Sequence, residues 1–189
     1  HQLPLELAAL LHRAYGDVAL EVVRANPYLL VNEEFRVEFS QADGLALALG
    51  VGHEDPLRLE AGLLFEMAHN NLNNGHTFLP RRKLIEATAI LLDVSGGLLE
   101  PCLEALAGRG EVVCEAVAGE DGVYLPALYD AECYVAWRVG EMSRSELLPP
   151  DDLDKLIARI QRDQGIRYAP QQREAVELAA CRQVMLLTG

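Results

Sequence analysis

EVVCEAVAGEDGVYLP, residues 111–126, carries two short runs of β-branched and aromatic residues on either side of an acidic, glycine-bounded turn. Val112, Val113 and Val117 fall on one arm and Val123, Tyr124 and Leu125 on the other. That spacing predicts a β-hairpin with its turn at residues 119–122. Upstream, HTFLP (76–80) reads as a short strand ended by a proline, and the matching ends TFLP and VYLP are expected side by side in one small sheet. Between them lie two amphipathic helical patterns, 81–92 and 98–107, separated by Ser95, Gly96 and Gly97.

Strand, helix, helix and a two-stranded wing is the order of a winged-helix segment. The residues before it read differently. Leu5, Leu7, Ala8, Leu10 and Leu11 give one apolar face, AYGD (14–17) breaks it, and Val18, Ala19, Val22 and Val23 resume it until Asn26-Pro27. A short piece follows at 28–32, then a helix over 41–49 with Ser40 as its cap and Gly50 at its end, then a longer helix over 56–71. Past the wing, 128–142 continues as a helix and SRSELLPPDD (143–152) reads as a linker because of its paired prolines. Helices are expected over 152–162 and 171–180, and the apolar run in RQVMLLTG (182–189) reads as a short buried strand, either an ordinary core strand or one that runs into a Gly-rich phosphate loop; in the second case 184–187 lacks its sheet neighbours and is expected to be poorly ordered or packed in a non-native way. The expected architecture is therefore mainly α: helix-hairpin-helix units over 1–74, a winged-helix-like α+β segment over 75–142, a linker over 143–152, and a helix and strand opening a further α/β domain over 153–189.

Half of the 189 residues are apolar, enough for a real core. The formal net charge of −13 and a pI near 4.7 make the average field repel phosphate, so nucleic-acid binding needs a local basic cluster. No apolar run reaches the ~20 residues of a membrane span, and the first residues show no signal peptide. A cytoplasmic protein without membrane contact is expected. Cys102, Cys114, Cys133 and Cys181 form no CxxC pair, and His69 and His76 have no metal-ligand spacing, so HNNLNNGH (69–76) reads as a helix end and turn and no metal site is expected. No paired carboxylates or triad supports a hydrolase within these residues.

The assembled order resembles the N-terminal half of RecD-like DNA helicases of superfamily one, in the branch with a long N-terminus. The resemblance rests on YGDVALEVVRANPYLL, QADGLALALG, AGLLFEMA leading into GHTFLP, VYLPALYDAE and QQREAV, and it runs over most of the chain. It implies a parent protein that moves 5′ to 3′ on single-stranded DNA, using ATP and Mg²⁺ as cofactors. It also implies that the strand at 184–188 leads into a phosphate-binding loop whose first residue is Gly189. The lysine and hydroxyl of that loop are not in this chain, which is expected to be a piece of a longer protein without ATP turnover or a bound cofactor of its own. By its place in Q-x-x-A-V, Gln172 matches the family's adenine-reading glutamine, since an amide can donate and accept at once. Tyr168 is the nearby aromatic that would lie against the base. Without the family, Gln172 reads as a solvated helix residue.

The same resemblance assigns single-stranded or forked DNA to the helix-hairpin-helix turns, with protein partners as the other possibility. In the first hairpin, AYGD keeps Gly16, with Arg13 and Arg24 nearby, although a simple helix turn fits it as well. In the second, the family's Gly-apolar-Gly-Phe is replaced by Arg36, Val37, Glu38 and Phe39; Arg36 offers a guanidinium, while Glu38 sets a negative charge where a phosphate would come. In the winged-helix-like segment the second helix carries Glu100 and Glu104, which oppose groove binding. The clearest basic cluster is Arg81, Arg82 and Lys83, which reads either as a phosphate contact or as a solvated face. The two functional readings are thus an accessory region that positions DNA for a helicase motor, and an interaction module that packs on the motor or a partner without touching DNA.

Overall fold

The computed structural model describes residues 6–145 and 147–188. The chain divides into two compact units, His1–Tyr129 and Asp130–Gly189. It is mainly helical, with one small antiparallel sheet in the first unit.

Helix α1 (Leu7–Tyr15) ends at Gly16, and a 3₁₀ turn, Gly16–Val18, leads into α2 (Ala19–Ala25). Asn26 then accepts from the Tyr28 amide and starts a second 3₁₀ turn, Pro27–Val31, which is the short piece expected at 28–32. Helix α3 (Phe39–Ala48) begins two residues earlier than its sequence pattern. Its N-cap position is Glu38, and the Ser40 cap is not made, because the alternation of buried Phe35, Val37 and Phe39 carries the chain straight into the helix. Helix α4 (Pro56–Asn74) has stronger ends: Asp55 accepts from Leu57 N at 2.9 Å, Pro56 fills the first turn, and Gly75 closes it in the left-handed region. HNNLNNGH is therefore helix end and turn, and among the described residues no cluster of His, Cys, Asp or Glu is placed to hold a metal ion.

Strand β1 (Phe78–Pro80), α5 (Arg81–Leu92), α6 (Gly96–Gly108), β2 (Val113–Val117) and β3 (Glu120–Tyr124) follow in the expected order. The sheet order is β1-β3-β2, all antiparallel, with Phe78 opposite Tyr124 and Leu79 opposite Val123, so TFLP and VYLP do lie side by side. The hairpin turn differs from the sequence reading. Val117 pairs with Glu120, which leaves Ala118 and Gly119 alone in a two-residue loop, both at positive φ (51° and 87°). A two-residue loop with that twist suits the right-handed twist of the strands, so Glu120, Asp121 and Gly122 are drawn into β3 instead of forming the turn.

One apolar core runs through this unit from Leu7 to Val123, with Leu30, Leu63, Leu84, Leu99 and Leu106 wholly buried. Each such leucine contributes about 1.5–3 kcal/mol of burial. α4 and α5 approach closely at Gly62, where a Cβ would sit 2.7 Å from Leu92 Cδ1.

Helix α7 (Pro126–Arg144) leads into the second unit and buries none of its residues; Tyr134 and Trp137 are exposed, their rings 5.9 Å apart. There α8 (Leu153–Gln164) buries Ile157 and ends at the left-handed Gly165, and α9 (Pro170–Cys181) is tied to it by Arg173, which bonds Asp154 and Glu177. The run at 184–188, expected as a strand, pairs with no other strand among the described residues, and Leu186 is 94% exposed. A strand needs a neighbouring ladder to satisfy its backbone. Gly189 lies outside the described residues.

Candidate nucleic-acid interface

The first two hairpins sit against each other. Tyr15, at the end of α1, and Phe35, in the turn before α3, have ring centroids 6.0 Å apart, and Arg13 reaches to 4.0 Å of Glu34. Gly16 has φ 60° and ψ −139°, and space around its missing Cβ is open, so glycine is needed there for the backbone angle alone. Arg13 is exposed, and Arg24, in the last turn of α2, is exposed as well. This hairpin keeps a glycine turn flanked by two guanidinium groups.

The second hairpin is built otherwise. Arg36 has φ 52°, a conformation that non-glycine residues rarely adopt, held by its amide donating to Asn32 O (2.9 Å) and its Nε donating to Glu33 O (3.2 Å). Val37 N then donates to Leu30 O, which pins the turn to the 3₁₀ segment beneath. Glu33, Glu34 and Glu38 are exposed around the one arginine. Three carboxylates against one guanidinium repel a phosphate backbone.

The basic cluster at the start of α5 is also largely neutralised. Arg81 Nε and Nη2 donate to Glu100 (2.9 and 2.6 Å), Nη2 also donates to Glu104, and Asp121 of β3 lies 3.9 Å away. The bonds it donates, to Glu104 first and then Glu100, raise the pKa of Arg81 above its ordinary value. Arg82 pairs with Glu86 at 2.7 Å, which leaves the exposed Lys83 without an ion pair among the described residues. The acidic face of α6 and the basic start of α5, apart in sequence, are partners in space.

Gln172 sits in the first turn of α9, where its Oε1 accepts from Ala169 N at 3.0 Å. Its amide still has both N–H donors and a second lone pair on the oxygen, so it keeps the donor and acceptor that an adenine edge needs. Tyr168 is half-buried, its amide donating to Gln161 Oε1 at 2.8 Å. A cavity of ≈ 380 Å³ in the second unit is lined by residues such as Leu147, Glu174, Leu178 and Arg182, and neither Gln172 nor Tyr168 is among them.

The strongest polar constellation was not singled out in the sequence. Arg58, 4% exposed on the apolar face of α4, donates from Nε and Nη2 to both oxygens of Asp43 (2.8 and 2.9 Å). Its Nη1 donates to the carbonyls of His53 (2.9 Å) and Leu92 (3.1 Å), and the Tyr28 hydroxyl donates to Asp43 Oδ1 at 2.7 Å. Burial works against the Asp43 carboxylate, but the bonds from Arg58 and Tyr28 outweigh it and hold the carboxyl below its ordinary range. Burial, followed by the bond to Asp43, raises the Tyr28 phenol. The network joins α3, α4, the second 3₁₀ turn and the end of α5, and it is structural. An arginine four residues before the buried Gly62, among leucines, was the available signal.

Paired hairpins on a helical base, closed by a long helix that leads to Phe78, make a recognisable unit. Residues 1–78 match the family model of the ATP-dependent RecD2 DNA helicase HHH domain. The match supports an N-terminal region of a RecD2-like helicase. Both hairpins, Asp43, Arg58 and the whole of α4 fall within the matched HHH segment, whereas the Arg81 cluster and Gln172 lie beyond it. Among the described residues no helix is long and apolar enough to cross a membrane.

Proposed function

We propose that this chain is the N-terminal accessory region of an ATP-dependent 5′–3′ DNA helicase of RecD type, acting in DNA recombination or repair in the cytoplasm. It positions single-stranded or forked DNA, or a protein partner, for the motor. The observation that carries this reading is the HHH match over residues 1–78. Of the candidate DNA residues, Gly16 on the first hairpin and Lys83 at the start of α5 keep surroundings that suit a phosphate, and Arg13 is exposed with Glu34 no nearer than 4.0 Å; Arg81 and Arg82 are paired with carboxylates, and Arg36 stands among the exposed Glu33, Glu34 and Glu38. The order β1, α5, α6, β2, β3 supports a winged-helix-like segment after the HHH part, and α8 and α9 support the start of a motor domain.

Gln172 and Tyr168 would hold adenine, and the nucleotide with its Mg²⁺ would supply the phosphoryl chemistry. The chain contains no Gly-Lys-Ser/Thr sequence, so alone it has nothing to stabilise the transferred phosphate. Purified free of nucleic acid, it is expected to show no DNA-stimulated ATP turnover; turnover would overturn the accessory-region reading. Charge reversal tests the DNA side: Arg13→Glu with Arg24→Glu should abolish binding of a labelled single strand at low salt, and undiminished binding would remove the first hairpin from the account.

A second reading, a module that docks a partner or the motor without touching DNA, is favoured by the pairing of Arg81 with Glu100 and Glu104. It predicts no DNA binding at any salt concentration.

A further inference from the structure

An apolar groove lies along α4 in the first unit. Leu57, Ala61, Leu64, Ala68 and Leu72 recur along it at three- and four-residue spacing and form one wall, about 22 Å long at 1.5 Å per residue. Leu29 and Val31 of the 3₁₀ turn also line it, as do the stacked rings of Phe39 and Phe65, 4.6 Å apart. The groove encloses ≈ 600 Å³, and Leu72 at one end is 74% exposed.

Its charge is one-sided. Glu33, Glu60 and Glu111 are among the lining residues, and among the described residues no lysine or arginine lines it. Arg109, outside the lining, bonds Glu60 (2.8 Å) and Glu111 (2.6 Å) and offsets part of that charge, which leaves an acidic excess at the Glu33 end.

We propose that this groove docks an amphipathic helix from a protein partner, with leucine or aromatic anchors on one face and lysine or arginine at its flanks. Length favours a helix over a compact small molecule, because the wall extends over about four turns of α4. The rim carboxylates select a basic segment and reject nucleic acid. This goes beyond the accessory-region reading and does not depend on it, since Arg13, Gly16 and Lys83 are not among the residues that line the groove.

The test is selection from a displayed library of helical peptides of about 16 residues, a length matched to the groove, against the 189-residue chain. The winning peptide is then titrated against variants. Winners should carry apolar residues at i, i+3 or i+4 and i+7 with net positive charge. Leu72→Glu, at an exposed position that leaves the fold intact, should weaken binding at least about tenfold. Glu33→Lys should weaken it and flatten its salt dependence, while binding of single-stranded DNA is unchanged by Leu72→Glu. Failure to enrich any peptide, enrichment of acidic peptides, or binding indifferent to Leu72→Glu would overturn the proposal. So would sedimentation showing that a second copy of this chain occupies the groove and is released by Leu72→Glu.

Discussion

Arg58 replaces what a leucine would do on the buried face of α4 with four hydrogen bonds, two of them to one carboxylate. Asp43→Asn would leave that guanidinium buried beside a neutral amide, and the loss of one partner from a buried pair costs about 3–5 kcal/mol. Urea unfolding at neutral pH measures it. The pH dependence has a definite sign. The Asp43 carboxyl in the folded chain titrates below its ordinary value, so its bonds contribute stability that is present above that value and lost as pH falls through the depressed one. Asp43→Asn should therefore remove part of the acid limb of the stability curve. Arg36 makes the opposite test, because its left-handed φ suits glycine. Arg36→Gly should leave stability within about 1 kcal/mol of the parent, while Arg36→Val, β-branched at positive φ, should cost at least about 1–2 kcal/mol. Sequence alone showed that Arg36 stands where a hairpin glycine is usual, but it could not show the Arg58–Asp43 pair, whose partners are brought together only by the packing of α3 on α4.

At the level of elements, the helices were legible because periodicity and end signals agreed: Asp55-Pro56 and Gly75 bracket α4, and Pro80 precedes α5. The hairpin was legible in its arms and misread in its turn, since glycines at 119 and 122 suggested a four-residue loop while strand twist selects two residues. Ala118→Asn should raise stability by roughly 0.5–1 kcal/mol, because asparagine tolerates the φ of 51° that alanine resists. Thermal melting checks it, and no gain would question the turn geometry. Gly62→Ala would push a methyl against Leu92 and separate α4 from α5, at a cost of about 1–3 kcal/mol. The apolar run at 184–188 has the composition of a strand, but composition does not supply a partner, and it pairs with no other strand among the described residues, as expected of a strand that lacks its sheet neighbours.

Across the whole molecule, the net charge of −13 sets the problem that any DNA-contacting reading must solve. The sequence located the basic residues but not their partners, because the carboxylates that neutralise Arg81 lie 19 and 23 residues away on another helix. Among the described residues of the first unit, the exposed cations best placed to meet a phosphate are Arg13 and Arg24 at the first hairpin and Lys83 at the start of α5; the second unit adds the exposed Arg138, Arg159, Arg162 and Arg167. The most direct test is the affinity of the purified chain for a labelled single strand, measured across a salt series. Two or three phosphate contacts predict weak but measurable binding at ~50 mM salt, with a log–log salt slope of about −1.4 to −2.1. Absence of binding at ~50 mM salt, or an affinity that does not change with salt, would contradict a DNA-positioning role for this chain.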